Sequence, residues 1–387
     1  MRLATLANAS VVHTRRWVEH FRARGHDVRV FSLQPGWTEP GGGGAAGAGG
    51  SGGAAGAAGG AASIVHLPAL PLPGVLRYPL SVPRLRRELE RFRPDVVDAH
   101  FVPNYGLMGA LSGFRPLSVA AWGSDLLVVA SAGALLQNAR ARFVLERAAL
   151  VLCDAANLAE AARRNGADPA RVRTISWGVD RALFRPAAGR EPGLLLSTRM
   201  HEDVYDLATV IEGAARVLAA HPHARLVLAG DGSRRAALER LAATRLPRDR
   251  HRFVGRLAPA ELAGWLARAG VYLSASRSDS TSQSLLEAMA TGALPVVSDI
   301  EGNREWVVEG GEGERLGQAR LFAPGDASAL AGAVERALAD PAWSDRARLR
   351  NAAVIAARGD WHMNLARIED CFEALAQGRP LPRAEPA

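Results

Sequence analysis

Two acidic residues beside one predicted helix are the strongest sign of chemistry in this sequence. Asp279 lies in a polar loop after an apolar strand, and Glu287 follows eight positions later, in the first or second turn of a helix that Gly292 ends. The unpaired N–H groups and the positive dipole end of such a helix suit a pyrophosphate. Both carboxylates can therefore face one cleft at the carboxyl edge of a sheet, the usual ligand site of open α/β folds.

The sequence contains no lysine, which limits how an anion can be held. All 47 basic residues of the 387 are arginines, and 39 acidic residues leave a net charge of +8. A Schiff-base lysine and a P-loop lysine are therefore excluded. Any phosphate must be held by arginine, histidine, backbone N–H groups or a metal ion. The excess charge lies in residues 1–186, which carry +9, whereas residues 187–387 carry −1.

Short apolar runs alternate with amphipathic segments along nearly the whole sequence. This pattern is typical of a parallel sheet covered by helices on both faces, so the predicted fold class is α/β. We predict two Rossmann-like domains, residues 1–186 and 187–360, joined by a linker that contains prolines. A last helix is predicted at about Trp361–Ala376, and residues 361–387 could cross back to the first domain.

The predicted elements follow from hydrophobic periodicity. The strands are Arg2–Ala7, Asp27–Phe31, Asp95–Ala99, Leu117–Ala121, Ala149–Cys153 and Val172–Ile175, then Leu194–Ser197, Arg225–Ala229, His251–Val254, Val271–Ser274 and Leu294–Val297. The helices include His13–Arg24, Val82–Phe92, Ala156–Arg164, Leu207–Leu218, Arg234–Ala242 and Ala258–Ala267.

Residues 41–62 are almost entirely Gly, Ala and Ser. Such a segment cannot bury enough apolar surface to offset its ordering entropy, so we expect a flexible surface loop inserted in the first domain. It is either an inert insertion or a flap over an acceptor.

The stretch Asp279-x7-Glu287-Ala-Met-Ala-Thr-Gly-Ala-Leu-Pro-Val-Val resembles the donor-site signature of retaining family-4 glycosyltransferases. These enzymes have the GT-B architecture, in which two Rossmann-like domains face each other across a cleft. The resemblance extends along nearly the whole chain, through segments that look like other motifs of the family. These segments are Arg225–Gly232, Phe253–Leu257, Trp177–Asp180, Asn8, His13–Trp17, Asp95–His100 and Trp122–Asp125.

The resemblance implies roles for individual residues. Glu287 would bind the donor ribose, Asp279 would lie near the transferred sugar, and Arg199 would neutralise the leaving diphosphate with the help of amides at Gln283, Ser284 and Leu285. His100 matches a histidine of the first domain that faces the sugar. The acceptor and phosphate side would include Asn8, His13, Thr14 and Asp125.

The sequence departs from the family pattern both at the donor site and in the first domain. Asp279 is one methylene shorter than the usual Glu, and no lysine follows Arg199, where only His201 could carry a positive charge. Arg256 or Arg304 could replace the missing cation. Trp122 stands where many members have His.

Structural roles are the alternative for each candidate. Asp279 or His13 could cap a helix, Arg199 could form a surface ion pair, and His100 could be a satisfied core histidine. Glu287 could be an ordinary surface residue of its helix.

The expected function is a retaining hexosyltransferase that uses a nucleotide-diphosphate sugar. The sequence lacks an Asp-x-Asp triplet, so no metal and no other cofactor is expected. The acceptor would be a glycan, a lipid-linked sugar or a small molecule, and nucleic acid is not expected. The alternatives are a non-catalytic sugar-nucleotide-binding or assembly protein and a nucleotide-sugar epimerase. We expect a cytoplasmic protein. Five arginines lie in the segment Arg84–Arg93. They form either a solvated helix face or a peripheral contact with an anionic membrane.

Overall fold

The computed structural model of the protein describes residues 1–35, 63–67, 72, 74–127, 134–310 and 315–383. The predicted Gly/Ala loop 41–62 lies outside these residues. Contacts among the described residues divide the chain into two compact units. Unit 1 comprises Met1–Cys153, Ala161–Arg173 and the described residues from Ile368 on, and unit 2 comprises Asp154–Glu160 and Thr174–Arg367.

Strands alternate with helices in unit 1. Its elements are β1 (Arg2–Leu6), α1 (Val12–Ala23), β2 (Asp27–Ser32), β3 (Ser63–His66), α2 (Gly74–Leu80), α3 (Val82–Phe92), β4 (Val96–His100), α4 (Leu107–Ser112), β5 (Leu117–Ala120), α5 (Ala134–Leu145), β6 (Leu150–Cys153), α6 (Ala156–Arg164) and β7 (Val172–Thr174). Among the described residues, the strands form a seven-stranded sheet in the order β3-β2-β1-β4-β5-β6-β7. The strands from β3 to β6 in this order pair in parallel.

The core of unit 1 forms because its central strands are covered on both faces. All five residues of β4 are buried, as expected for a central strand of a parallel sheet. α1 buries an apolar stripe that includes Trp17 and Phe21, and it ends before Gly25, whose φ of +88° suits glycine. Phe372, in the last helix of the chain, packs against Phe21 with ring centroids 5.5 Å apart.

Unit 2 repeats the same plan. Its elements are β8 (Glu191–Ser197), α7 (Leu207–Ala220), β9 (Arg225–Ala229), α8 (Arg235–Arg245), β10 (His251–Gly255), α9 (Pro259–Arg268), β11 (Ala269–Ser274), α10 (Gln283–Thr291), β12 (Leu294–Ser298), α11 (Glu301–Arg304), β13 (Val307–Val308), β14 (Gly317–Gln318), β15 (Arg320–Phe322), α12 (Ala327–Ala339), α13 (Pro341–Arg358) and α14 (Trp361–Ala376). In the described part of the unit, a parallel six-stranded sheet has the order β10-β9-β8-β11-β12-β15.

Each sheet contains one point at which the strand order reverses. In unit 1 the point lies between β1 and β4, and in unit 2 it lies between β8 and β11. The loops that leave neighbouring strands there diverge to opposite faces and open a crevice at the carboxyl edge. The loops after β1 and β4 carry Asn8 and the residues that follow His100, and those after β8 and β11 carry Arg199 and Asp279.

The predicted α/β fold class with two parallel sheets is confirmed. Three predicted helices, Val82–Phe92, Ala156–Arg164 and Trp361–Ala376, have the predicted bounds. The prediction misses β3, a four-residue strand that begins directly after the Gly/Ala segment.

The division into units differs from a single boundary at residue 186. Thr174–Arg185 belongs to unit 2 because this segment is bonded to it: Val179 donates its N–H to the Gly359 carbonyl at 2.7 Å, and its own carbonyl accepts from Trp361. α6 and α14 are each divided, with their first residues in unit 2 and their last residues in unit 1. Among the described helices, each is too short or too polar to cross a lipid bilayer.

Candidate functional site

Arg199 lies at the centre of the unit 2 site, in the loop after β8. One of its terminal nitrogens, Nη1, donates to the hydroxyls of Ser282 at 2.7 Å and Ser284 at 2.8 Å. The other, Nη2, donates to Asp279 Oδ2 at 2.5 Å. The guanidinium also lies over the Tyr205 ring, 4.0 Å from its centroid. The side chain, only 7% exposed, is therefore a buried cation held at the start of α10.

The charge of this cation is stable in its buried position. Burial by itself lowers the pKa of Arg199, but the negative charge of Asp279, followed by Tyr272 and Tyr205, raises that pKa above its ordinary value. Arg199 is thus charged at every physiological pH. A positive charge at a helix N-terminus is unfavourable by itself, and Asp279 offsets it.

The start of α10 does not use a conventional side-chain cap. Ser282 is the N-cap residue, but its hydroxyl accepts from Arg199 rather than from a backbone N–H. Asp279 pairs with Arg199, so its alternative role as a helix cap is wrong. The side-chain amide of Gln283 donates to the Gly178 carbonyl at 2.6 Å, so only its backbone N–H can serve the predicted anion site. The backbone N–H of Ser284 can join it, whereas that of Leu285 already donates to the Ser282 carbonyl at 3.0 Å.

Glu287 lies in the second turn of α10 and is 7% exposed, which excludes the alternative of an ordinary surface residue. The Asp279 side chain is 17% exposed. The predicted roles of these carboxylates toward ribose and sugar stay predictions.

Arg256 and Arg304, the two candidates for the missing cation, differ in their availability. Arg304 pairs with Asp299 through two hydrogen bonds, whereas Arg256 is exposed and forms no ion pair with a described residue. The loop after β10, which carries Arg256, lies close to the Arg199 backbone. The link is Gly230: its N–H donates to the carbonyl of Gly255 at 2.7 Å. A Cβ at Gly230 would lie only 2.6 Å from the Arg199 carbonyl oxygen.

His201 does not supply the missing charge. Its ring is fully buried, and burial, followed by the charge of Arg235, lowers its pKa, so the imidazole is neutral at pH 7.

In unit 1, His100 forms a buried pair with Asp98. The two residues lie two apart on β4, so both side chains point to one face of the sheet. His100 Nε2 donates to Asp98 Oδ2 at 2.9 Å, while His100 Nδ1 has no hydrogen-bond partner among the described residues. The ring also packs edge-on against Trp17 at 4.9 Å. Asp98 thus orients the imidazole, and the predicted role of His100 toward the sugar stays a prediction.

Three of the predicted acceptor-side residues follow β1: Asn8 lies in the loop, and His13 and Thr14 lie in the first turn of α1. Asn8 Oδ1 accepts from the backbone N–H and the hydroxyl of Ser10, which shapes the turn before α1. His13 does not cap this helix, since Val11 is the N-cap residue, and burial, followed by the charge of Arg16, lowers its pKa to about 4. Thr14 is buried, at 4% exposure.

Asp125 connects two loops of unit 1. Its carboxylate, 1% exposed, accepts from the N–H groups of Val102 and Trp122, both at 3.0 Å. Burial raises its pKa to about 6. These bonds hold the chain next to Phe101, a non-glycine residue with a φ of +73°. The structure therefore gives Asp125 a role in shaping the loop, and its predicted role toward the acceptor stays a prediction.

One group in the described residues has metal-ligand geometry: atoms of His26, Glu369 and Glu373 lie within 4.8 Å of one another in unit 1. However, Glu369 already binds His26 at 2.6 Å and Arg24 at 2.9 Å, one on each carboxylate oxygen. We interpret the group as an ion network that holds the end of α14.

Some residues of the site were missed from the sequence. Tyr205 lies six positions after Arg199, and Asp98 lies on the same face of β4 as His100, a spacing that could have indicated the pair.

A cavity of about 670 Å³ in unit 2 is lined by residues such as Asp203, Asp206, Leu238 and Arg277, and none of the predicted site residues lines it.

Comparison with known families covers most of the chain. Residues 183–355 match the family described as "Glycosyl transferases group 1", and residues 8–178 match the "Glycosyl transferase 4-like domain". The chain belongs to the family 4-like glycosyltransferases. The residues around Arg199, Asp279 and Glu287 all lie within the first match.

Curated relatives of this glycosyltransferase include two proteins of Mycobacterium tuberculosis. It is 29% identical to a glycogen synthase over 245 residues, which are 62% of this chain and 58% of the relative. It is 27% identical to a GDP-mannose-dependent alpha-mannosyltransferase over 305 residues, 75% of each chain. The chain thus spans little more than half the length of the glycogen synthase that it matches.

Solved structures show the same fold. Sucrose-phosphate synthase from Thermosynechococcus elongatus superposes with a TM-score of 0.79 and 20% identity, covering 98% of this chain and 100% of the other. Anabaena HepE in complex with UDP and glucose superposes with a TM-score of 0.76 and 15% identity, covering 97% and 100%.

The Arg199–Asp279 pair leads to a prediction with two opposite effects. Asp279→Asn keeps an oxygen for Arg199 but removes the charge that competes with a diphosphate. Nucleoside diphosphate affinity should therefore rise about fivefold, while sugar transfer falls at least ~100-fold. Isothermal titration and a transfer assay would measure the two effects, with exposed Asp345→Asn as the matched control. Weaker diphosphate binding by Asp279→Asn would contradict this account of the pair.

Arg256 and Arg304 provide a matched pair for a second prediction. Arg256→Ala should weaken nucleoside diphosphate binding about tenfold, because this cation is not neutralised by a neighbouring carboxylate. Arg304→Ala should change the affinity less than about twofold, since Asp299 already neutralises Arg304. Isothermal titration of both variants with nucleoside diphosphate would measure these affinities. Equal losses of affinity in the two variants, or no loss in Arg256→Ala, would show that Arg256 does not replace the missing cation.

Proposed function

We propose that this protein is a retaining, metal-independent hexosyltransferase that moves a hexose from a nucleotide-diphosphate sugar to an acceptor. The observation that carries the proposal is the buried Arg199 guanidinium, bonded to Asp279 and to two serines at the first turn of α10. It combines a fixed positive charge with free helix amides at the carboxyl edge of the sheet, where a leaving diphosphate would be stabilised.

The relatives support a sugar-nucleotide donor. The mannosyltransferase relative is named for its dependence on GDP-mannose, and Anabaena HepE has been solved with UDP-glucose as well as with UDP and glucose. The products that the names indicate are varied, from glycogen to sucrose phosphate. We therefore propose a glycan, lipid-linked or small-molecule acceptor.

The charges of the site support transfer without a metal. During transfer, negative charge develops on the departing diphosphate and positive charge develops at the anomeric carbon. Arg199 and the α10 amides would stabilise the first, and the Asp279 carboxylate would stabilise the second. Glu287, in the second turn of α10, would hold the ribose hydroxyls as a bidentate acceptor. Retention of the anomeric configuration is supported by the resemblance of this stretch to the retaining family.

The test is a panel of nucleotide sugars with mixed acceptors. We expect release of nucleoside diphosphate with one donor, no effect of EDTA, and a product whose anomeric configuration by NMR equals that of the donor. Tight donor binding without release would instead favour the non-catalytic binding protein, and a change in the sugar of the donor itself would favour an epimerase.

Glu287 gives the sharpest prediction for the proposed reaction. Glu287→Ala should lower kcat/KM at least ~100-fold, a loss of ~2.7 kcal/mol in transition-state stabilisation, because the ribose loses its anchor. Glu335→Ala on α12 is the control, since that exposed carboxylate pairs, within the described part of the chain, with His221 alone. Near-normal turnover in a folded Glu287→Ala variant would refute the site assignment.

We also propose that α3 contacts an anionic membrane surface. Part of its charge is used internally: Arg84 pairs with Glu88 at 3.0 Å, and Arg86 donates to the Ser112 and Leu111 carbonyls. Arg91 also pairs with Glu88, at 3.3 Å. The support comes from Arg87 and Arg93, which are exposed. Together with Arg2, Glu90 and Arg91, they line a shallow cavity of about 660 Å³.

A vesicle experiment tests this contact. The protein should co-sediment with phosphatidylglycerol vesicles, and less of it should bind as the salt concentration increases. It should not co-sediment with neutral phosphatidylcholine vesicles. Arg87→Glu with Arg93→Glu should reduce binding at least ~10-fold, while Arg216→Glu with Arg240→Glu, exposed arginines of unit 2, should not. Equal binding of both double variants, or of both vesicle types, would refute the contact.

A further inference from the structure

The loop that carries Asp279 is held by a distant part of the chain. Asn157 Nδ2 donates to the Asp279 carbonyl at 3.0 Å. The hydroxyl of Ser280 donates to Asp154 Oδ2 at 3.1 Å, and that of Thr281 donates to the Asp154 carbonyl at 2.6 Å. Three consecutive residues of the loop are thus bonded to the turn between β6 and α6, more than 120 positions earlier in the sequence.

This turn is itself fixed by Glu305, the residue that follows α11. The Glu305 carboxylate accepts from the backbone N–H groups of Ala156 at 2.9 Å and Asn157 at 3.1 Å, so it caps the first turn of α6. The neighbouring Trp306 donates its indole N–H to the Thr281 hydroxyl at 3.1 Å. Two adjacent residues therefore hold both the turn and the loop.

The loop cannot relax toward α11. A Cβ at Gly302 would lie 2.1 Å from the Ser280 carbonyl oxygen and 2.6 Å from that of Asp279. Ser280, Thr281 and Ser282 are 3%, 7% and 2% exposed. The Asp279 backbone is therefore fixed between α11 on one side and Asp154 with Asn157 on the other, while its side chain is held by Arg199.

We propose that Asn157 and Asp154 are positioning residues. They hold the Asp279 backbone so that its carboxylate is correctly placed relative to Arg199 and the reacting sugar. The inference rests on the proposed function for its effect on catalysis. A displacement of a reacting group by about 1 Å can cost about 100-fold in rate, so two or three hydrogen bonds that fix this backbone matter to turnover. They touch neither donor nor acceptor in this role and act through Asp279.

The experiment compares two asparagines of the same region. Asn157→Ala removes the bond to the Asp279 carbonyl, whereas Asn165→Ala removes only a local bond to Ala161 just after α6. We expect kcat to fall about 10-fold in Asn157→Ala, with the donor KM changed less than about twofold, and Asn165→Ala to match the wild type.

The kcat of Asp154→Asn, which keeps an acceptor for the Ser280 hydroxyl, should fall much less than that of Asp154→Ala. A purely structural role would lower the unfolding temperature of Asn157→Ala without changing kcat of the folded enzyme, and that result would overturn the proposal.

A second readout separates this proposal from the proposed function, because it needs no turnover. Hydrogen exchange of the peptide spanning residues 277–285 should be faster in Asn157→Ala than in the wild type and in Asn165→Ala. If the wild type binds nucleoside diphosphate but never transfers a sugar, the proposed function fails and the exchange result still decides the positioning of the loop. Unchanged exchange in Asn157→Ala would overturn the positioning role even in an active enzyme.

Discussion

The site in unit 2 depends on the ion pair between Arg199 and Asp279. A buried guanidinium is tolerated only if its charge is matched and its N–H groups are bonded, and here a carboxylate, two hydroxyls and an aromatic face share that task. The Arg199 guanidinium bonds the Ser282 hydroxyl, which therefore caps no backbone N–H of α10, and it also lies over the Tyr205 ring. Because the sequence contains no lysine, the fixed positive charge at this site comes from arginine.

The two units use one topological rule for different chemistry. In each, the reversal of strand order brings two loops together at the carboxyl edge of a parallel sheet. In unit 2 those loops supply an arginine and a carboxylate, whereas in unit 1 they lie beside an imidazole oriented by a buried carboxylate. The first arrangement fixes a positive charge, and the second fixes the orientation of a histidine ring.

The fold was more predictable from sequence than the contacts of the site. Strands such as Arg225–Ala229 and helices such as Val82–Phe92 follow from local periodicity, and Gly292 marks the end of α10 because its positive φ favours glycine. Arg199 and Asp279 were identified as candidates, but their mutual bond depends on how β8 and β11 pair. The partners Asp154 and Asn157 could not be found, because no local pattern links the turn before α6 to a loop in the other half of the sequence.

The divided helices α6 and α14 have a consequence for modularity. Unit 2 is discontinuous, since the turn that steadies its site loop precedes the last strand of unit 1 in the chain. A recombination at the linker near residue 186 would therefore separate the 279–281 loop from Asp154 and Asn157, to which it is bonded. The second half of the sequence is thus not a self-contained module: exchanging it intact means carrying the segment from Asp154 to Glu160 with it.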